Sequence, residues 1–159
     1  MKRYFRALLN FGRIPLKRKL LYLEALGHLV FAWFLVRRVP FRVWSRWLGT
    51  GSQGFVEFPG GDRSSAAVEV AGAIVRLNGV FRGAFTCLMV GTAGKFMLNR
   101  RQVDNTLVLG VNTERTGDSR MAMTAHAWLC EGSDIILGGE VHQDYTPITN
   151  YYSSCKARE

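Results

Sequence analysis

The stretch that decides the fold class is 121–137, Met-Ala-Met-Thr-Ala-His-Ala-Trp-Leu-Cys-Glu-Gly-Ser-Asp-Ile-Ile-Leu. Residues 121–130 have the composition of a β-strand, Gly132-Ser133 is a tight-turn signal, and 134–137 is the returning strand. A preceding apolar run at 106–111 adds another strand, and the polar residues 112–119 predict a loop between them. Residues 145–148 predict a last strand at the sheet edge, because their proline cannot donate to a central ladder.

Two helices are predicted in the first third of the chain. Apolar residues recur at three- and four-residue steps from residue 16 until Val39-Pro40 ends the run. A short second helix covers 41–48 and stops at Gly49. The periodic apolar positions of the first helix are Leu20, Leu23, Leu26, Val30 and Phe34.

Two further helices precede the sheet. Asp62 or Ser64 can cap the first of them, and Asn78-Gly79 ends it. The second covers 87–99 after Thr86, a residue type that N-cap positions favour. The apolar positions of the first are Val68, Ala71, Ile74 and Val75, and the small or apolar face of the second is Leu88, Gly91, Gly94 and Leu98. Helices followed by an antiparallel sheet predict an α+β fold.

Loop signals divide this pattern into two regions. Residues 50–54 and 59–61 are rich in glycine and polar or proline residues, which predicts irregular structure and a hinge. We therefore expect a helical arm at 1–49 and a second unit at 62–152.

The positive charge is concentrated in the arm. The net charge is +9, and residues 1–46 contain eleven Lys or Arg and one acid, Glu24. A basic, aromatic-rich segment of this kind can contact nucleic acid, anionic lipid or an acidic protein. A solvated helix face is the alternative interpretation, and the sequence leaves both open.

Cysteine usage indicates a reducing compartment. Three cysteines, Cys87, Cys130 and Cys155, form no pairing pattern, and no secretory signal is evident, so we expect a cytoplasmic protein. The stretch 20–36 is apolar, but it contains Glu24 and is 17 residues long, which is short for a membrane span. We expect a buried helix there, with contact to a membrane surface as the alternative.

Cys87 and His126 are the candidate reactive pair. Cys87 falls in the first turn of a predicted helix, where unpaired N–H groups and the helix dipole favour the thiolate. His126 falls within a later strand, and a thiol at a helix N-terminus packed against a sheet that bears an imidazole can form an activated nucleophile. His126 would then be the general base, and the N–H of Cys87 one oxyanion donor.

Other interpretations of these residues stay open. A cysteine in an apolar helix is more often a core residue than a nucleophile, and a histidine on a strand is more often a structural partner. Cys130 is four residues from His126 along a strand, and no spacing typical of metal ligands recurs, so we expect no metal and no cofactor. Trp128 lies on the same strand face as His126 and is more often core than substrate wall. Arg82 is a further polar candidate.

Several runs carry a family resemblance when they are taken in order. They are Cys87-Leu88, Met97-Leu-Asn-Arg-Arg101, Leu107-Val-Leu-Gly-Val111, Ala125-His-Ala-Trp-Leu129, Gly138-Gly139 and Tyr145-Thr-Pro-Ile148. This set resembles the lasso-peptide biosynthesis leader peptidases, which are the transglutaminase-like "B" proteins. The resemblance covers about residues 75–152 and extends more weakly to 23–25 and 40–42.

The resemblance implies a papain/transglutaminase-like domain with Cys–His–Asp protease activity. Such an enzyme cuts the leader from a lasso precursor peptide and passes the core to an ATP-dependent macrolactam-forming cyclase. The leader is held by a recognition domain, for which the arm leaves no room, so we expect the split form with a separate leader-recognition protein. The basic arm is then a candidate docking surface, and no nucleic-acid partner is implied. The rival interpretation is a non-catalytic assembly or membrane-surface protein that uses residues 1–48.

The orienting acid of the implied triad is not evident. In the family it follows the histidine by about a dozen residues, and that count from His126 ends at Gly138. The predicted hairpin pairs 131 with 134 and 126 with 139, which puts Asp134 on the order of 15 Å from His126. Glu140 is closer and is our preferred third member. Asp144 and a backbone carbonyl of the Gly-Gly pair stay open.

Overall fold

The structure, a computed structural model, describes residues 15–54, 64–116 and 120–154. The helices are α1 (Leu16–Arg38), α2 (Phe41–Trp44), α3 (Ser65–Val80) and α4 (Cys87–Arg100), with single 3-10 turns at Ser45–Leu48 and His142–Asp144. The strands are β1 (Thr50–Gln53), β2 (Asn105–Thr116), β3 (Arg120–Glu131), β4 (Asp134–Leu137) and β5 (Thr146–Ser153). Asp62, a predicted cap, lies outside the described residues, whereas Ser64 caps α3 by accepting from the Ala67 N–H at 3.1 Å.

The five strands form one antiparallel sheet in the order β1-β5-β2-β3-β4. Helices α1, α3 and α4 pack against one another, and α4 also packs on β2 and β3. The predicted α+β class, with Cys87 at the start of a helix that lies on a small antiparallel sheet, is confirmed.

The β2–β3 hairpin is longer than the sequence predicts. Residues 112–116 continue β2, and the pairing runs without interruption from Thr106 opposite Cys130 to Thr116 opposite Arg120. The prediction of a loop over 112–119 is therefore wrong for 112–116. The reason is physical: the ladder needs only backbone groups, and this end of the hairpin extends past the core, where residues such as Met123 are exposed. No hydrophobic alternation is required there.

The strands at the other side of the sheet also correct the sequence prediction. Residues 50–53, predicted as a loop, form β1 and pair with β5, and β5 lies between β1 and β2 instead of at the edge. Pro147 is tolerated because β1 pairs only with 149–152, so at Pro147 the strand has β2 alone as its neighbour. A bulge between Leu109 and Gly110 also breaks the β2–β5 register beside it.

In helix α1, the periodic apolar pattern does not identify the face that is buried. The predicted helix and its end before Pro40 are confirmed, but Leu20, Leu23, Val30 and Phe34 are exposed. The core face instead consists of Ala25, Leu29, Ala32 and Leu35. The expectation of a buried helix is therefore right for one face only. That inner face belongs to the same hydrophobic core as α3, α4 and the sheet.

Helix α4 lies close to the sheet because two glycines face it. A Cβ at Gly91 would be 2.6 Å from Leu107 Cδ1, and a Cβ at Gly94 would be 2.6 Å from Leu137 Cδ1 and 2.8 Å from Leu129 Cδ2. The predicted small face of this helix is thus its contact with the sheet.

A buried lysine fixes α4 further. Lys95 is fully buried, and its ammonium donates to Asn105 Oδ1 at 3.0 Å, the Asn105 carbonyl at 3.3 Å and the Tyr151 carbonyl at 2.9 Å. Three acceptors offset much of the cost of removing a cation from water. They join α4 to β5 and to the first residue of β2.

Candidate active site

Cys87 is the first residue of α4, as predicted, and its side chain is partly buried and not in a disulfide. Thr86 occupies the predicted N-cap position, but its hydroxyl makes no capping hydrogen bond. The amides of the first turn therefore receive no cap from Thr86, and in a helix they have no acceptor of their own. Such groups favour a nearby anion, and the Cys87 side chain lies in this first turn.

The loop before Cys87 is held by Asn78, a residue that the sequence indicated only as a helix breaker. Its side-chain carbonyl accepts from the Phe85 N–H at 3.1 Å, and its amide donates to the Phe85 carbonyl at 3.3 Å. The rings of Phe81 and Phe85 also meet edge to face, with centroids 5.6 Å apart. Asn78 thus fixes the chain two residues before the thiol. Arg82 is exposed in this loop with a φ of 56°.

His126 lies on β3 and has a defined partner. Its Nε2 is 2.8 Å from the carbonyl oxygen of Gly138, and its ring contacts two aromatic rings. The centroid distances are 6.0 Å to Trp128 and 5.1 Å to Tyr145. Since a carbonyl only accepts, Nε2 carries a hydrogen, and in the neutral ring Nδ1 has the free lone pair. The structure therefore selects the tautomer of the candidate base.

Gly138 occupies the position to which the count from His126 pointed. Its φ is +77°, and a Cβ there would lie 2.6 Å from the carbonyl oxygen of Ala127. Both facts require glycine at this position, so no carboxylate can take its place without moving the backbone. Of the alternatives that the sequence left open, the one present in the structure is the backbone carbonyl.

The carboxylates considered from the sequence make no hydrogen bond to His126 among the described residues. Glu140, the preferred third member, is exposed, and so is Asp144. Asp134 pairs with Glu131 next to the turn, as predicted, and is remote from His126 along the ladder. The predicted pairing of 126 with 139 is wrong, because a bulge between Leu129 and Cys130 shifts the register and the pairing ends at Leu129 opposite Leu137.

Cys87 and His126 are not joined by a hydrogen bond in the structure. Side chains alternate along β3, so that Ala127 and Leu129 lie in the core that α4 shares, whereas Trp128 and Cys130 belong to a second cluster on the other face. The ring of His126 stacks on that of Trp128 and is therefore on the second face. The thiol and the imidazole are therefore held by different parts of the fold, and no hydrogen bond joins them.

Two residues beside His126 were not found from the sequence. The ring of Tyr145 contacts that of His126 at an angle. The ring centroids of His142 and Trp128 are 6.2 Å apart, and His142 Nδ1 lies 2.6 Å from the Gly139 carbonyl. Both come from the segment after Gly138-Gly139, which folds back over this face of β3. Neither residue lies at a distance along the sequence that would link it to His126. Trp128 itself is buried, as expected of a core residue.

The second described cysteine differs from Cys87. Cys130 is buried, and this burial, together with the nearby charge of Asp134, raises the pKa of its thiol to about 12. Cys155 lies outside the described residues. Within 15–54, 64–116 and 120–154, no group of three His, Cys, Asp or Glu side chains is arranged to hold a metal ion.

Comparison with known protein families gives a match over most of the chain. A sequence model described as the transglutaminase-like superfamily matches residues 35–150, which include all five strands as far as Asn150 and both Cys87 and His126. No curated protein and no solved structure matches the chain.

Proposed function

Because the chain belongs to the transglutaminase-like superfamily, we propose that it is a cysteine peptidase that removes the leader from a ribosomally synthesised lasso precursor peptide. It would work with a separate leader-recognition protein and an ATP-dependent macrolactam-forming cyclase. Cys87 is the nucleophile of this proposal and His126 the general base. The observation that carries it is the hydrogen bond of His126 Nε2 with the Gly138 carbonyl, at the place where the family resemblance puts the orienting acid.

The chemistry follows from the tautomer of His126. With Nε2–H donated to Gly138, Nδ1 accepts the thiol proton of Cys87, and the thiolate attacks the scissile peptide carbonyl. The imidazolium then gives that proton to the departing amine as the C–N bond breaks, which leaves a thioester. Water, deprotonated by Nδ1, attacks the thioester; the C–S bond breaks, the leader leaves with a new carboxyl group, and the imidazolium returns its proton to the Cys87 sulfur. A carbonyl dipole stabilises the imidazolium less than a carboxylate does, so slower turnover than in a Cys–His–Asp enzyme is expected.

The missing contact between Cys87 and His126 has to form when substrate binds. Catalytic hydrogen bonds in unliganded enzymes are often long or misaligned and tighten in the substrate complex. The proposed mechanism requires this rearrangement, because Asn78 fixes the loop before the thiol, Gly138 fixes the imidazole, and the two side chains belong to different faces of β3. In this proposal, the leader held by its recognition protein brings the two together.

Incubating the precursor and the recognition protein with purified enzyme, and following the cleaved leader by mass spectrometry, tests the proposal. We expect Cys87→Ala and His126→Ala to lose cleavage by about a thousandfold or more, because each removes one half of the reacting pair. Cys130→Ala is the matched control, since that thiol is buried and its pKa is about 12. Cleavage that persists in Cys87→Ala would rule this mechanism out.

The same assay distinguishes the carbonyl from a carboxylate as the orienting group. Glu140→Gln keeps the shape of the side chain and removes its charge, and we expect kcat to stay within about twofold of wild type. A loss of about a hundredfold or more would instead make Glu140 the third catalytic member after a rearrangement of the exposed segment that carries it.

A second candidate function, a non-catalytic assembly protein, is favoured by one observation. The thiol and imidazole belong to different faces of β3 and make no hydrogen bond. In that case the precursor would stay intact with every variant, while the protein would still co-purify with the recognition protein or the cyclase.

A further inference from the structure

The outer face of α1 exposes an unusual number of large apolar side chains. Seven large apolar side chains are exposed there, namely Leu16 (71%), Leu20 (57%), Leu23 (59%), Val30 (52%), Phe31 (44%), Trp33 (40%) and Phe34 (49%). At about 100° per residue they cover an arc of about 160°, and from Leu16 to Phe34 they extend about 27 Å. A concentration of exposed apolar side chains on one helix face indicates a binding face.

Basic residues border this face at both ends. Lys17, Arg18 and Lys19 lie in the first turn of α1, and Arg37 and Arg38 in the last turn. Arg42, Arg46 and Trp47, all with exposed side chains, follow in the next two turns of the chain. Among the described residues, Arg37, Arg38 and Arg42 make no ion pair. Lys17 pairs at 3.9 Å with Glu69 at the surface, and the acid of α1, Glu24, is paired with Arg101. The occupant of the face therefore has to be both apolar and anionic.

A second copy of the chain does not meet this requirement. If two α1 helices paired through the apolar face in antiparallel orientation, Lys17–Lys19 of one would meet Arg37 and Arg38 of the other. Parallel pairing would place each basic cluster against its own copy. Both arrangements oppose like charges. An arc of about 160° is also wider than the seam that a single partner helix covers.

The helix also cannot cross a bilayer without leaving the fold. It is 23 residues long and apolar enough to span by length and composition. Its inner face, however, is packed in the core through Ala25, Leu29, Ala32 and Leu35, and Glu24 holds Arg101 at 2.7 and 2.9 Å. Only the outer face is available, so the helix axis has to lie in the plane of whatever covers it.

We propose that the outer face of α1 binds an anionic phospholipid surface, with the helix lying flat at the level of the head groups. Its leucines and phenylalanines enter the acyl boundary, while the basic clusters at both ends contact lipid phosphates. Trp33 and Trp47 have the amphipathic side chains that are enriched at this depth. This inference does not depend on the peptidase activity, because no residue of the candidate site lies on this face.

Flotation of the full-length protein with vesicles tests the inference. The vesicles are phosphatidylcholine alone and phosphatidylcholine mixed with phosphatidylglycerol. We expect binding to the mixed vesicles, at least about tenfold weaker binding to phosphatidylcholine alone, and weakening by salt. The double variant Leu20→Gln/Leu23→Gln should reduce binding by about tenfold or more. The control Val68→Gln/Val75→Gln changes two equally exposed apolar residues of α3 and should bind like wild type.

Other outcomes would overturn the inference. They are absence of flotation with the mixed vesicles, equal flotation with both vesicle types, or equal loss in the α1 and α3 double variants. Size-exclusion chromatography is run in parallel, with circular dichroism to confirm that each variant is folded. A dimer that Leu20→Gln/Leu23→Gln converts to monomer, without flotation of the wild type, would assign the face to a second copy instead.

Discussion

Gly138 shows how a single residue sets the chemistry of its neighbour. Its positive φ and the closeness of the Ala127 carbonyl exclude a side chain, and the same backbone turn aims its own carbonyl at His126. The orienting group is thereby built into the main chain. At Cys130, by contrast, burial raises the pKa of the thiol and keeps it protonated. Two sulfur atoms of one fold are therefore expected to differ in reactivity.

Alkylation measures that difference at the level of single residues. At about pH 8, a thiol with a pKa of about 12 is thiolate to only about one part in ten thousand, so Cys130 should resist iodoacetamide in the folded protein. Cys87, partly exposed at the start of α4, should react at least about a hundredfold faster.

Peptide mapping by mass spectrometry at successive times gives both rates from one sample. Unfolding the protein in urea is the control, because it should make Cys87 and Cys130 react alike. If Cys87 and Cys130 react at the same rate in the folded state, Cys87 is not an activated nucleophile.

Among the elements, α4 is the one on which the site depends. It carries the thiol at its first residue, and Gly91 and Gly94 allow it to approach the sheet within side-chain contact of Leu107, Leu129 and Leu137. Lys95 then bonds it to β2 and β5. The position of Cys87 relative to β3 is thus determined by how closely this helix packs.

Matched glycine-to-alanine changes test the packing of α4. Gly94→Ala should lower the free energy of unfolding by about 1–2 kcal/mol, because its Cβ would press on two buried leucines. Gly72→Ala in α3 has open space around its Cβ and should raise stability by about 0.5–1 kcal/mol through helix propensity. Urea denaturation followed by circular dichroism gives both values. Equal stabilisation by the two changes would show that α4 does not lie this close to the sheet.

At the scale of the whole molecule, Glu24 connects the N-terminal helix to the site-bearing helix. Its carboxylate accepts two hydrogen bonds from Arg101, at the end of α4, and Arg100 lies 3.4 Å away. The Arg101 guanidinium holds the pKa of Glu24 below its usual value of 4.5, and the carboxylate raises the pKa of Arg101 in turn. This ion pair joins α1, the helix that we propose faces the membrane, to the end of α4.

The lowered pKa of Glu24 predicts a pH dependence of stability. Its contribution is fully present above about pH 4.5 and is lost as the pH falls through the lower folded-state value, where the carboxyl becomes protonated. Glu24→Gln should therefore destabilise the protein by about 2 kcal/mol near neutral pH and by progressively less in acid.

Urea denaturation of wild type and Glu24→Gln across this pH range measures the difference. Glu69→Gln is the control, because the Glu69–Lys17 pair is exposed at 3.9 Å and should contribute little at any pH. A difference between wild type and Glu24→Gln that does not change with pH would contradict the assignment.

Much of the architecture was predictable from local signals. Three predicted features are confirmed: the hairpin turn at Gly132-Ser133, the start of α4 at Cys87 and the end of α1 before Pro40. Each depends on the backbone preferences of a few neighbouring residues. The α+β class follows from the change of hydrophobic period along the chain. These features need no knowledge of distant contacts, which is why the sequence determines them by itself.

The tertiary structure decided the features that depend on residues far apart. Helix α1 is apolar on two faces, and only packing against α3 and α4 selects Ala25 and Leu29 over Leu20 and Leu23 as core. The pairing of β1 with β5 joins segments about a hundred residues apart through backbone groups, which leave little pattern in the sequence. The partner of His126 is a carbonyl, present in every residue, so its role depends on the bulge and the turn that aim it. The physical reason is common to all three: side-chain patterns encode local preference, whereas main-chain contacts and the choice between equivalent faces are set by the assembled fold.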